Sequence, residues 1–138
     1  MIKYRLIDHM ADFRVHVFGE TETELFQNAA FAMVDLITDV SQLSGIKSRQ
    51  IRVTGDDRIE LMFNWLKELL YLWTGKRLLV RSTHIDGFFK TGLCATLIID
   101  PFDPHRHVIN SDIKAVTYHQ LHVNRTSKGW DSKIIFDV

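Results

Sequence analysis

The chain has 138 residues, is 46% hydrophobic, 25% charged and 11% aromatic, and contains only two prolines, which excludes a disordered or fibrous protein. Seventeen Lys and Arg balance seventeen Asp and Glu, so bulk charge argues against a strong direct grip on nucleic acid, although a local basic patch is compatible with it. Cys94 is the single cysteine, which rules out an internal disulfide and a thiolate metal cage and fits a reducing, cytoplasmic setting.

Ile2, Tyr4 and Leu6 alternate with Lys3 and Arg5, and Phe13, Val15 and Val17 alternate with Arg14 and His16. Period two predicts two half-buried strands, joined by a turn holding Asp8-His9-Met10-Ala11-Asp12. Thr21 and Glu24 have capping-box spacing, and Leu25, Ala29, Ala32 and Leu36 follow at helical intervals, so a helix is expected over 22–38. Ile51 and Val53 mark a strand ending at Gly55. Asp57 and Glu60 then open a second helix, for which Gly75 is the expected stop.

Ile59, Met62, Phe63, Leu66, Leu69, Leu70 and Trp73 form one stripe of that helix, with Trp65 and Leu72 off it. Such a helix is either buried between layers or presents an apolar surface to a partner. Its most apolar part, Leu61 to Trp73, is interrupted by Asn64, Lys67 and Glu68 and is too short to cross a membrane. The remainder predicts strands over 78–85, 92–99, 113–123 and 133–138. In the third of these, Ala115, Leu121 and Val123 share one parity while Val116 and Tyr118 take the other, which implies a bulge or burial on both faces. With no linker or repeat, residues 1–138 read as a single α+β domain, two helices packed on a mostly antiparallel sheet.

No phosphate-cradling glycine loop, paired-cysteine motif, HExxH or nucleophile-elbow serine is present, and no assembled nucleophile and base stand out as catalytic. What remains is carboxylates and histidines at turns and strand ends. The acidic residues of 8–12 are either plain turn formers or ligands. At the other end, Asp137 has the solvent-facing phase of Phe136-Asp137-Val138. Its carboxylate and the oxygens of Val138 together suit a hard cation, Ca²⁺ or Mg²⁺, better than Zn²⁺. The plain alternative is an exposed acidic tail. His105 and His107, with His119 and His122 downstream, are either transition-metal ligands or parts of a surface loop pinned by Pro101 and Pro104. Lys114 is either a solvated charge or a group that meets an anionic partner.

Taken together these segments resemble the archease family. The resemblance is carried by His9-Met10-Ala11-Asp12, by Trp65-Leu66-Lys67-Glu68-Leu69-Leu70-Tyr71-Leu72, and by Pro101-Phe102-Asp103-Pro104 with His107. Lys114-Ala115-Val116-Thr117-Tyr118-His119, Gly129-Trp130 and Asp137-Val138 complete it, in order and over essentially the whole chain. Met10 stands where the family usually has Thr, and Phe13-Arg14 follow the Asp where small or apolar residues are common.

The resemblance implies a protein cofactor of the RtcB-type RNA ligase of tRNA splicing, not itself an enzyme. It would promote guanylylation of the ligase's active-site histidine by GTP and multiple turnover, and broaden the usable nucleotides. It further implies a divalent metal, calcium foremost with magnesium or manganese as alternatives, held by the positions matching Asp12, Asp137 and Val138, and a part in ligase activation for Lys114. A stand-alone metal-dependent hydrolase built on the same carboxylates is the alternative of a different class. An RNA-binding module or general chaperone is a third.

Overall fold

The computed structural model describes residues 2–8 and 12–138. Strand β1 (Tyr4–Asp8) pairs antiparallel with β2 (Asp12–Gly19), so the first strand begins and ends two residues later than the alternation predicts. Val15 and Val17 are buried as their parity requires. Helix α1 (Glu22–Ile37) begins where its cap places it, with Thr21 Oγ1 accepting from the Glu24 N–H at 3.1 Å. A single 3₁₀ turn (Val40–Gln42) then leads to β3 (Lys47–Thr54).

Helix α2 (Arg58–Lys76) is capped by Asp57, whose Oδ1 accepts from the Glu60 N–H at 2.8 Å. It does not stop at Gly75. Arg77 takes the left-handed conformation (φ 53°) and its N–H satisfies the carbonyls of Leu72 and Trp73, the usual way of closing a helix end. A Cβ at Gly75 would meet the ring of Tyr71, which is exposed and free to turn aside.

Strands β4 (Leu78–Phe89) and β5 (Gly92–Pro101) form a long hairpin, followed by β6 (Ala115–Val116), β7 (Asn124–Thr126) and β8 (Gly129–Asp137). The strands make two antiparallel sheets instead of one. The first runs β1-β2-β8-β6 with β7 also on β8, and the second runs β3-β5-β4. Register shifts interrupt edge strand β1 between Leu6 and Asp8, and edge strand β4 at Arg81 and Asp86, the kind of irregularity that discourages edge-to-edge pairing.

Helix α1 packs on β2 and β8 with one side and on β4 with the other, so it ties the sheets together. Val15, Val17, Ile134 and Phe136 form the sheet's share of the core, and Leu93, Leu97, Leu61, Leu66 and Trp65 lie in the same cluster. Trp65 is fully buried and donates its indole N–H to the Phe26 carbonyl at 2.9 Å. Of the two readings of α2, burial between layers therefore accounts for Trp65 and Leu72, while Ile59 and Tyr71 stay exposed and Phe63 half-buried.

The expected long strand over 113–123 is only two residues of β6. Gln120 sits in the left-handed region (φ 57°) and the Leu121 N–H turns back to the Tyr118 carbonyl. This turn is why Val116 and Leu121, of opposite parity, are both buried, which one continuous strand with a single buried face could not satisfy. The final strand, conversely, starts four residues earlier than expected, at Gly129.

Candidate functional site

Antiparallel pairing of β2 and β8 sets the geometry of the site. Asp12, the first residue of β2, lies directly opposite Asp137, the last of β8, and Phe13 opposite Phe136. On the other flank of β8, Ala115 also lies opposite Asp137, and the Lys114 N–H donates to the Asp137 carbonyl at 2.8 Å. The end of β8 is thus held between β2 and β6, and its acidic residue is flanked by Asp12 on one side and by the Lys114 segment on the other.

Parity decides which way these groups face. Val15, Val17, Ile134 and Phe136 point to the core, so Asp12 and Asp137 share the outer face, with Arg14, His16 and Lys133 on the same side further along. Directly opposed positions hold their Cβ atoms about 4.5–5.5 Å apart, and two carboxylates at that spacing repel unless a cation or proton intervenes. One cation is already present. Arg14, two residues on, reaches back with Nε 3.1 Å from Asp12 Oδ1.

The Asp12 side chain is 23% exposed, whereas Asp137 and Lys114 are open to solvent and Val138 is 40% exposed. Asp137 has no side-chain partner among the described residues. Residues His9, Met10 and Ala11 lie outside the described residues. Among those described, no three His, Cys, Asp or Glu side chains converge as a metal cage. Two carboxylates beside main-chain oxygens are nevertheless the donor chemistry of a hard, oxygen-seeking cation.

The histidines do not gather. His107, expected on the surface, is buried at 4% exposure. Its Nδ1 accepts from the Asp103 N–H at 3.0 Å, which leaves the proton on Nε2, facing Asp100 Oδ2 at 3.8 Å. Asp100, itself 2% exposed, accepts three backbone N–H groups, from Ser44 (2.6 Å), Gly45 (2.7 Å) and Ile46 (3.0 Å). Burial alone would raise the Asp100 carboxyl, but the three N–H donors and His107 outweigh it and hold it below the ordinary value. Phe102 meets Trp73 edge-on at 5.3 Å. The Pro101–His107 segment is therefore a structural clasp.

His122 stands far along the first sheet, beside Asp131. His16 Nε2 lies 2.7 Å from Asp131 Oδ2, and His122 Nδ1 lies 3.8 Å from Asp131 Oδ1, two buried atoms without a hydrogen-bond partner. Burial pushes the His122 imidazole below its ordinary value, with Lys133 and His16 adding to that and Asp131 opposing it. A cleft of about 470 Å³, lined by Lys3, Phe31, Asp35, Arg81 and Thr83 among others, contains none of the residues singled out from the sequence.

Sequence reasoning missed Arg14 as the partner of Asp12, although positions i and i+2 of one strand always share a face. It also missed Asp100, whose role depends on a loop 55 residues away and leaves no local signal.

Two antiparallel sheets and two capped helices make this an α+β chain. Residues 4–138 match the archease protein family (MTH1598/TM1083), and the chain belongs to it. A protein archease of Methanosarcina barkeri is 32% identical, over 99% of this chain and 96% of the relative. The solution structure of protein 1598 of Methanobacterium thermoautotrophicum superposes with a TM-score of 0.82 at 26% identity, covering 99% of both chains. A Thermotoga maritima structure, described as an archease and possible chaperone, shares the fold with a TM-score of 0.65 at 18% identity over 97% of this chain and 96% of that one.

Proposed function

We propose that this protein activates an RtcB-type RNA ligase of tRNA splicing, promoting guanylylation of the ligase's histidine by GTP and so multiple turnover. Family membership supports this reading, and one observation carries its chemistry: the β2–β8 register that sets Asp12 opposite Asp137 with Lys114 tied alongside. In this reading Asp12, Asp137 and a main-chain or terminal oxygen of Val138 hold a divalent cation, calcium first, with magnesium or manganese able to substitute.

Bound there, such an ion supplies positive charge to phosphate oxygens, which nucleotidyl transfer needs as charge accumulates on the phosphoryl group. The chain's own residues have distinct tasks. The strand pairing fixes the separation of the two carboxylates. Arg14 holds Asp12 Oδ1, and among the described residues no side chain holds Oδ2. Lys114, exposed beside them, offers an ammonium to an anionic group of the ligase or its nucleotide. Because Asp12 and Asp137 stand on paired strands at an open sheet end, they can meet a partner's active site without rearrangement.

The test is ligase guanylylation with GTP and a divalent metal, with and without this protein, and with Asp12→Ala and Asp137→Ala beside the wild type. Stimulation by wild type that both variants lose is expected. Stimulation that survives in both removes the carboxylates from the mechanism, and no stimulation of a cognate ligase overturns the activator reading. GTP hydrolysis by this protein alone, lost in the same variants, would instead favour the stand-alone hydrolase.

A further inference from the structure

Tyr118 is an aromatic side chain left half in solvent. It is 52% exposed, yet it lies flat on half-buried Phe63 of α2, with ring centroids 3.9 Å apart and planes 15° from parallel. Ile59, one helical turn before Phe63, is 39% exposed and extends the apolar surface along the helix. The pair is held stiffly. Thr117 N–H bonds the Ile135 carbonyl at 3.0 Å, the Tyr118 carbonyl accepts from Leu121 N–H, and Gln120 turns the chain back immediately after it. A rigid, stacked, half-exposed Tyr with an aliphatic neighbour loses little entropy on being covered, the profile of a binding hot spot.

Two further features say what covers it. Tyr118 lies three residues beyond Ala115, the partner of Asp137, so at most about 10 Å of chain separates the aromatic surface from the carboxylate pair. One standard interface, about 800 Å² on each partner, spans both. Acidic groups border the patch at the start of the helix, where, beyond the effect of burial, Glu60 and Asp57 both raise the Tyr118 hydroxyl above its ordinary value, and Lys67, with Nζ 5.9 Å from the Phe63 ring, is a cation one turn further along. An enzyme that works on RNA and GTP must ring its active site with positive charge, because its substrates are polyanions.

We propose that the Ile59–Phe63–Tyr118 face of α2, rimmed by Asp57 and Glu60, docks on the electropositive rim of the ligase's nucleotide site and so aims the Asp12–Asp137 pair into it. This rests on the ligase-activator reading and assigns its two halves to different residues: the aromatic face gives affinity, and the carboxylates give the effect once bound.

The test titrates each protein against a fixed amount of ligase and reads both the half-maximal concentration and the plateau of guanylylation. Tyr118→Ala and Ile59→Glu, both at exposed positions, are expected to raise the half-maximal concentration at least tenfold and leave the plateau unchanged. Asp137→Asn is expected to lower the plateau at an unchanged half-maximal concentration. Glu60→Gln, which keeps the capping geometry and removes the charge, should flatten the salt dependence of the half-maximal concentration. Ile46→Glu, an exposed apolar residue elsewhere, is the control and should change neither. Wild-type stimulation with unaltered titrations for Tyr118→Ala and Ile59→Glu overturns the docking face alone. No wild-type stimulation of a cognate ligase overturns the activator reading and the docking face with it.

Discussion

Two carboxylate sites in this molecule use the same functional group under opposite rules. Asp100 is buried and held from within: three backbone N–H groups donate to its two oxygens and an imidazole faces it at 3.8 Å. Asp12 and Asp137 stand opposite each other at an open sheet end, and among the described residues only Asp12 Oδ1 has a cationic partner, Arg14. A buried charge is tolerated only when fully partnered, so Asp100 must be structural. A solvent-facing pair of like charges contributes no stability of its own, and on the proposed reading its geometry serves the cation and partner that it meets. The contrast teaches that the acidity of a residue matters less for function than the donors the fold withholds from it.

The largest expected effect breaks this comparison at its structural end. Asp100→Asn replaces one carboxylate oxygen with an NH₂ that points at a backbone donor, stranding a buried N–H. It should cost about 2–4 kcal/mol and lower the melting temperature by roughly 10 °C. Asp137→Asn, measured without divalent ions, should change stability by less than about 0.5 kcal/mol, because it removes only repulsion. Equal losses in the two variants would show that the open pair is structural after all. Acid titration reads the same distinction. The Asp100 carboxyl lies below its ordinary 3.8 in the folded state, so its contribution is present above that pH and is lost as pH falls through the folded value. Asp100→Asn should therefore flatten the acid limb of the stability curve.

Calcium sharpens the other end. On the proposed reading an ion at a hundred times its dissociation constant adds about 2.7 kcal/mol of stability, visible as a rise in melting temperature. Asp12→Asn and Asp137→Asn should each abolish that rise, and Asp100→Asn should keep it from its lower starting point. A rise that persists in both open-site variants would move the ion elsewhere. Smaller again is the effect of Arg14. Its guanidinium, 42% exposed, competes with a cation for Asp12, and a surface pair of this kind is worth about 0.2–1 kcal/mol. Arg14→Gln should therefore tighten calcium binding roughly two- to fivefold by calorimetry. Weaker binding would mean that Arg14 positions the carboxylate and does not compete for it.

What the sequence made legible follows the same division between local and distant causes. Both helix starts were readable because Thr21 with Glu24, and Asp57 with Glu60, act within one turn. The inward parity of Val15 and Val17 was readable because a strand's period is local. The clasp at Asp100 was not, since its donors come from Ser44 to Ile46, and neither was the division into two sheets, which pairing over long separations decides. The Gln120 turn left only an indirect trace, the broken parity of residues 115–123. For the candidate site, the residue types at the two ends of the chain were legible and their face-to-face register was not. That register depends on where β2 settles along β8, which the side chains of the whole sheet determine together.

The smallest effect belongs to a third carboxylate, intermediate between the other two. Asp131 is 18% exposed and shared between His16, at 2.7 Å, and His122, at 3.8 Å, so it is neither buried like Asp100 nor open. Burial holds the His122 imidazole below its ordinary 6.5 in spite of Asp131. The folded state thus binds fewer protons than the unfolded state just below that pH, and stability must decline as pH falls through 6.5 towards the folded value. His122→Asn should remove this shallow slope between neutral pH and the mildly acidic range while leaving the steeper loss due to Asp100 below pH 3.8 in place. If the slope is unchanged, Asp131 compensates the burial of His122 fully, and the half-partnered carboxylate behaves like the buried one.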